Sequence, residues 1–109
     1  MYVYTVTIGR GGHTDVSSPL SDAQWSGFQA ETYGALADVS TAQDVFEFHN
    51  GIGVWEGVSE ESHKVTLLAE RELPTDLKIS LRADLARIGR RFEQDAIALT
   101  IGESMLIRS

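Results

Sequence analysis

Leu77, Leu81, Leu85, Ile88 and Phe92 follow one another at steps of four, four, three and four. Side chains alternate along a strand, so no strand gathers such a set on one face; a helix turning once in about 3.6 residues does. Pro74 before the run, with Thr75 or Asp76 as cap, fixes where this helix starts. Gly89 falls late in it, near its end or where it comes close to another element. A helix with one apolar stripe must bury that stripe, so the rest of the chain has to supply a surface for it.

That surface is written in a period of two. Residues 2–8 place Tyr2, Tyr4, Val6 and Ile8 on one side and Val3, Thr5 and Thr7 on the other. VFEFH at 45–49 sets Phe46 and Phe48 together, VTLLAE at 65–70 sets Val65, Leu67 and Ala69 together, and AIALTI at 96–101 does so with Ile97, Leu99 and Ile101. MLI at 105–107 extends the last strand or adds a short edge strand. Between the first two strands, Ser21 and Gln24 have capping-box spacing ahead of Trp25, Phe28, Thr32 and Leu36 at helical spacing. Gly27 and Gly34 each weaken that helix by about 1 kcal/mol relative to alanine, so it is expected to depend on docking.

The order is strand, helix, strand, strand, helix, strand. It predicts an α+β domain over 1–109 with the ferredoxin-like βαββαβ fold, an antiparallel sheet carrying both helices on one face. No helix is left to cover the opposite face, where Val3, Val45, Leu68 and Trp55 are candidates for a partly apolar surface. Homo-oligomerisation through that face is the expectation.

The stretch NGIGVWEG at 50–57 has two readings. A dinucleotide loop needs its glycines to lead into a helix; here they lead into strand-like sequence, and Glu56, Glu60 and Glu61 would repel phosphate. The hairpin reading explains more. Asn50-Gly51 is the preferred pair for a type I′ turn, so the second strand is expected to carry a β-hairpin extension, with VSEES connecting to the third strand. Gly53 and Gly57 then leave space beside Trp55 for its own chain, a second subunit or a stacked ligand ring.

Charge divides the chain. Sixteen acidic and nine basic residues give a net charge of −7, which disfavours nucleic acid and anionic membranes as partners. Residues 1–63 hold nine acids and Arg10 as their one base, whereas 64–109 hold eight bases and seven acids. Lys78, Arg82, Arg87, Arg90 and Arg91 cluster in the second helix, a solvated face or a site for an anion or a partner. Cysteine is absent, and the N-terminus reads as a strand with neither signal-peptide nor membrane character, so a cytoplasmic protein is expected.

IGR at 8–10, SDAQW at 21–25, GVW at 53–55, EESHKVTLL at 60–68 and RFEQDAIAL at 91–99 form an ordered set spanning about 8–101. In that order and spacing the chain resembles a domain-of-unknown-function family of short bacterial proteins with a ferredoxin-like fold. It is also similar to small uncharacterised proteins encoded by phages of actinobacteria. It differs from the bacterial family in its first loop and helix start, and in lacking the leader common there. The resemblance implies the fold and brings no established activity; the phage likeness implies action on a host factor or defence pathway.

Chemistry-bearing residues are sparse. His13, His49 and His63 have no zinc-site spacing, so neither metal nor cofactor is expected, although strand pairing could bring His49 and His63 near each other. No nucleophile motif is present, and the serines sit in turn-like sequence. Glu60 or Glu61 beside His63 suits proton transfer. Arg10 and His13, on the glycine-rich loop GRGGHTDVSSPL, offer donors for an anion. Trp25 reads as core.

The leading expectation is a non-enzymatic binding protein, a homo-oligomer that engages a protein partner or a small anionic ligand through its open sheet face, hairpin and first loop. One alternative is sequestration of a small nucleotide-like ligand, with Trp55 stacking and Arg10, Arg87 or Arg91 meeting phosphate. The other is a small oligomeric enzyme using Glu61 with His63 or His49. A nucleic-acid mimic is disfavoured by the interspersed arginines.

Overall fold

The structure is a computed structural model that describes residues 1–11, 19–55, 57–94, 96–105 and 107, with Trp55 described in its backbone. The elements run β1 (Tyr2–Gly9), α1 (Asp22–Val39), β2 (Val45–Trp55), β3 (Val58–Ala69), α2 (Thr75–Arg91) and β4 (Ala98–Glu103). They form one four-stranded sheet in the order β2-β3-β1-β4, with every neighbouring pair antiparallel. This is the ferredoxin-like arrangement expected from the element order.

Register explains why the apolar stripes meet. Tyr4, Val6 and Ile8 lie opposite Leu67, Val65 and His63, so the apolar sides of β1 and β3 coincide. Those residues are buried together with Phe28 and Leu36 of α1 and Leu81, Leu85 and Ile88 of α2. Each such side chain contributes about 1.5–3 kcal/mol through burial. Phe92 stacks on Phe28 with ring centroids 4.9 Å apart, pinning the end of α2 to α1. Tyr4 also has a polar duty: its hydroxyl accepts the buried Leu73 N–H at 2.8 Å in the crossing from β3 to α2.

The α1 start is the expected capping box, with Ser21 Oγ accepting the Gln24 N–H and Gln24 Oε1 accepting the Ser21 N–H. The start of α2 differs. Pro74 occupies the cap with an extended ψ of 153°, no side chain caps the helix, and Thr75 and Asp76 lie inside it. The proline ring fixes φ at −56°, so the chain's entry into the helix is set by the ring without a side-chain hydrogen bond.

The second hairpin is also rearranged. Asn50 and Gly51 are strand residues paired with His63 and Ser62, and the chain reverses between Trp55 and Val58, with Gly57 at φ +80°. VSEES belongs to β3. Turning at Asn50 would end β2 after five residues; running on lets eleven residues pair, and Gly57 still supplies the positive φ. Because β1 stops pairing at Ser62, the segments 52–55 and 58–61 project beyond the sheet as a two-stranded arm. At the other end, β4 stops at Glu103 and neither Met105 nor Ile107 extends it, while Leu106 of the MLI stretch lies outside the described residues. Ser104 N–H donates to Met1 O at 2.8 Å, and Met105 and Ile107 lie exposed outside any strand.

The open face of the sheet is mainly polar, with Thr5 and Thr66 hydroxyls 3.0 Å apart at its centre. Val3, Leu68 and Val45 are neighbours in register and make one apolar row across it, at the end away from the arm. Among the described residues no helix is long and apolar enough to cross a membrane.

Candidate functional site

Several sequence-predicted residues converge where the arm leaves the sheet. Arg10 is the first residue past β1. Its N–H donates to Glu61 O at 2.9 Å, and its guanidinium donates to Glu61 Oε2 at 2.5 Å, Asp22 Oδ1 at 2.6 Å and Leu20 O at 2.7 Å. One side chain thus joins the exit of β1, the start of α1 and the arm. Its hydrogen bond to Glu61, then that to Asp22, pushes the already high arginine pKa further up. An incoming anion would have to displace two carboxylates from this fork.

The open side of the same junction is held by Glu60, whose carboxylate accepts the Gly11 N–H at 2.9 Å. It lies across Gly9 so closely that a Cβ there would stand 2.5 Å from Glu60 Oε1. A side chain at Gly9 would therefore push the Glu60 carboxylate, the far end of a flexible side chain, away from the position in which it accepts the Gly11 N–H.

His63 sits below, 5% exposed, with Nδ1 2.6 Å from Asn50 Oδ1 across the strand pair. A carbonyl oxygen accepts, so Nδ1 carries the hydrogen and Nε2 bears the lone pair of the neutral ring. Burial lowers the His63 pKa and favours that neutral form. Phe48 stacks alongside at 6.2 Å between centroids.

His49 does not join this group. It is the residue before Asn50 and pairs with Lys64, so it faces the open side while His63 faces the helices. Strand pairing therefore separates the two histidines. Arg87 pairs with Asp84 at 3.4 Å within α2, and Arg91 pairs with Glu31 of α1. Neither contributes to the arm root. His13 lies outside the described residues, as does the Trp55 side chain, whose backbone pairs with Val58 at the arm tip. Among the described residues no group of three or more His, Cys, Asp or Glu is placed to hold a metal ion.

A groove of about 180 Å³ opens at the arm root between Trp25 and Gln29 of α1 and Asn50, Gly51, Glu61 and Ser62 of the two strands. Trp25 is core, as expected, and also lines the groove. Asn50 is absent from the sequence-predicted set. The signal for it was the alternation Phe46, Phe48, Asn50, Ile52, Val54, which continues through the supposed turn.

No family model and no curated protein matches this chain by sequence. Solved structures match it in fold. A DUF3240 family protein from Shewanella baltica OS155 superposes with a TM-score of 0.58 at 12% identity, covering 99% of this chain and 94% of that one. A phage SAM lyase in its apo state gives 0.57 at 12% identity, covering 93% and 78%. The phage SAM lyase in complex with S-methyl-5'-thioadenosine gives 0.55 at 11% identity, covering 94% and 80%. The chain thus shares its architecture with a domain-of-unknown-function protein and with a phage protein.

Two other surfaces stand out against that common fold. Among the described residues, Tyr33 packs its ring against Phe46 and Phe48, and farther along the helix-side face Ile52 is 74% and Val54 69% exposed. At the opposite end of the sheet lies a larger cleft of about 530 Å³, floored by Val39, Ala69, Leu73 and Leu77 and rimmed by charged residues. Among the described residues, none of the sequence-predicted site residues lines it.

Proposed function

We propose that this protein is a non-enzymatic binding protein whose contact surface is the β2–β3 arm, used first for association with further copies of itself. The observation that carries this reading is the exposure of Ile52 and Val54 on a ribbon that projects past the rest of the sheet. Apolar side chains clustered on a protruding element mark interaction surfaces. The arm root supports the same use: Arg10, Glu61, Asp22, Glu60 and Gly11 brace the arm so that it is presented in one orientation. A host factor as a further target is supported by the sequence resemblance and by the phage origin of one fold neighbour.

Native mass spectrometry and light scattering at micromolar concentration test it. The expected result is a mass of several chains for the unaltered protein and of one chain for Ile52→Asp/Val54→Asp. A single-chain mass for the unaltered protein, with no partner recovered, overturns it.

A second reading is supported by one specific observation. The groove is lined by an aromatic residue, Trp25, and two amide residues, Gln29 and Asn50, residue types suited to a nucleobase, and a fold neighbour is known with a thioadenosine ligand. Titration with adenosine, comparing the unaltered chain with Gln29→Leu, separates this nucleoside-like ligand from the arm reading. Acid–base catalysis has less support, because Glu61 is engaged by Arg10, His63 is buried and His49 faces away from both.

A further inference from the structure

We propose that the cleft opposite the arm is a binding site for a small amphipathic cation, an apolar body carrying a single amine. The cleft opens where β3 leaves the sheet at Ala69 and the chain crosses to α2, facing the turn that joins α1 to β2. Its volume, about 530 Å³, falls in the range that encloses organic ligands, about 300–1,000 Å³. Val39, Ala69 and Leu73 in its floor are core residues, so the floor is as rigid as the fold itself.

The walls are fixed independently of any occupant. Thr41 N–H donates to Asp44 Oδ2 at 2.9 Å while Asp44 N–H donates to Thr41 O at 3.1 Å, closing the turn on one side. On the other side the Leu73 N–H is held by Tyr4. A preformed apolar floor needs no ordering when a ligand arrives.

Charge at the rim selects the sign of the ligand. Three carboxylates, Asp44, Glu70 and Glu72, line the cleft with Arg71 as the one base among its lining residues. Lys78 neutralises Glu72 at 2.6 Å. Three acids against Arg71 and Lys78 leave one net negative charge, and Asp44 still has one carboxylate oxygen beyond its bond to Thr41. The end of α1 and the start of α2 both reach the cleft, and their dipole ends are opposite in sign. The carboxylates therefore decide. An apolar molecule with one amine satisfies both the floor and the rim, whereas a carboxylate on the same body would meet repulsion.

Three probes sharing one indole body and differing in charge test this: tryptamine, tryptophol and indole-3-acetate. Each is titrated into the full chain while backbone amide shifts are followed. Tryptamine is expected to move the signals of Ala42, Gln43, Glu70, Arg71 and Leu77 and to leave those of Ile52 and Val54 in place. It should bind about two- to fivefold more tightly than tryptophol for each carboxylate engaged, with indole-3-acetate weakest. Glu70→Lys should reduce the preference for tryptamine; Glu70→Gln serves the same comparison if the lysine variant does not fold. Ile52→Asp should leave it unchanged, which keeps this outcome separate from that of the arm. Equal affinity for the three probes, or no shift in the cleft, overturns the proposal.

Discussion

The two ends of the sheet are built from opposite materials. At the arm end, polar groups lie at the root, in the Arg10–Glu61–Asp22 junction and the His63–Asn50 pair, and apolar side chains stand in solvent beyond them. At the cleft end the apolar groups form the floor and the charges form the rim. A convex apolar surface on a polar base can meet only something large enough to cover it. A concave apolar surface with a polar rim encloses something small. The same fold therefore offers two kinds of contact, one at each end of the sheet.

That contrast can be broken from either side. The largest effect is expected from Tyr4→Phe, which removes the acceptor of the buried Leu73 N–H and should cost about 1–3 kcal/mol of unfolding free energy. If the cleft wall depends on this bond, the shift of a denaturant midpoint should come with altered amide signals at Leu73 and Leu77 and unchanged ones at Ile52.

The next effect belongs to the arm root and is read through pH. Burial lowers the His63 pKa below its ordinary value near 6.5, so the unfolded chain takes up this proton at a higher pH than the folded one. The stability linked to His63 is fully present above about pH 6.5 and is lost as the pH falls toward the lowered folded value. The slope is at most about 1.4 kcal/mol per pH unit for one proton. Denaturant titrations from pH 8 to 5 should show it in the unaltered chain and a flatter curve in His63→Gln.

The smallest effect sharpens the comparison most. Arg10→Gln should accelerate amide exchange at Ile52, Gly53 and Val54 while leaving Leu67, deep in the core, unchanged. Raising the salt concentration should have a similar, weaker effect on the unaltered chain. Unchanged exchange throughout the arm in Arg10→Gln would mean that the junction does not brace it.

The fold was legible in the residues because each apolar stripe has one period and one partner. Tyr4, Val6 and Ile8 need an alternating face, and Val65 and Leu67 are such a face. The arm was less legible. The local rule favours Asn50-Gly51 as the turn, yet the chain reverses beside Gly57. The choice is made at long range, by Phe48 lying opposite Val65 and Asn50 opposite His63. The same register decides that His49 and His63 part company, although each taken singly reads as a strand residue near the hairpin. Arg10 was visible as the lone base of its half, but its two carboxylate partners come from separate elements. The cleft was invisible because its floor is assembled from residues at the ends of α1 and β3 and the start of α2. The row of Val3, Val45 and Leu68 was anticipated; its distance from Trp55 was not.

The central place of β1 sets a timetable for the molecule. β1 is made first, yet its two neighbours are β3, which ends at Ala69, and β4, which ends at Glu103. A ribosome adding about 5–20 residues per second leaves Tyr2–Gly9 without either neighbour for several seconds, and without the second until almost the whole sheet has been synthesised. Completion of the sheet thus depends on late contacts between distant segments, which makes for slow closure. A nascent chain halted after α2 would present the bare hydrogen-bonding edge of its own middle strand to any other chain nearby.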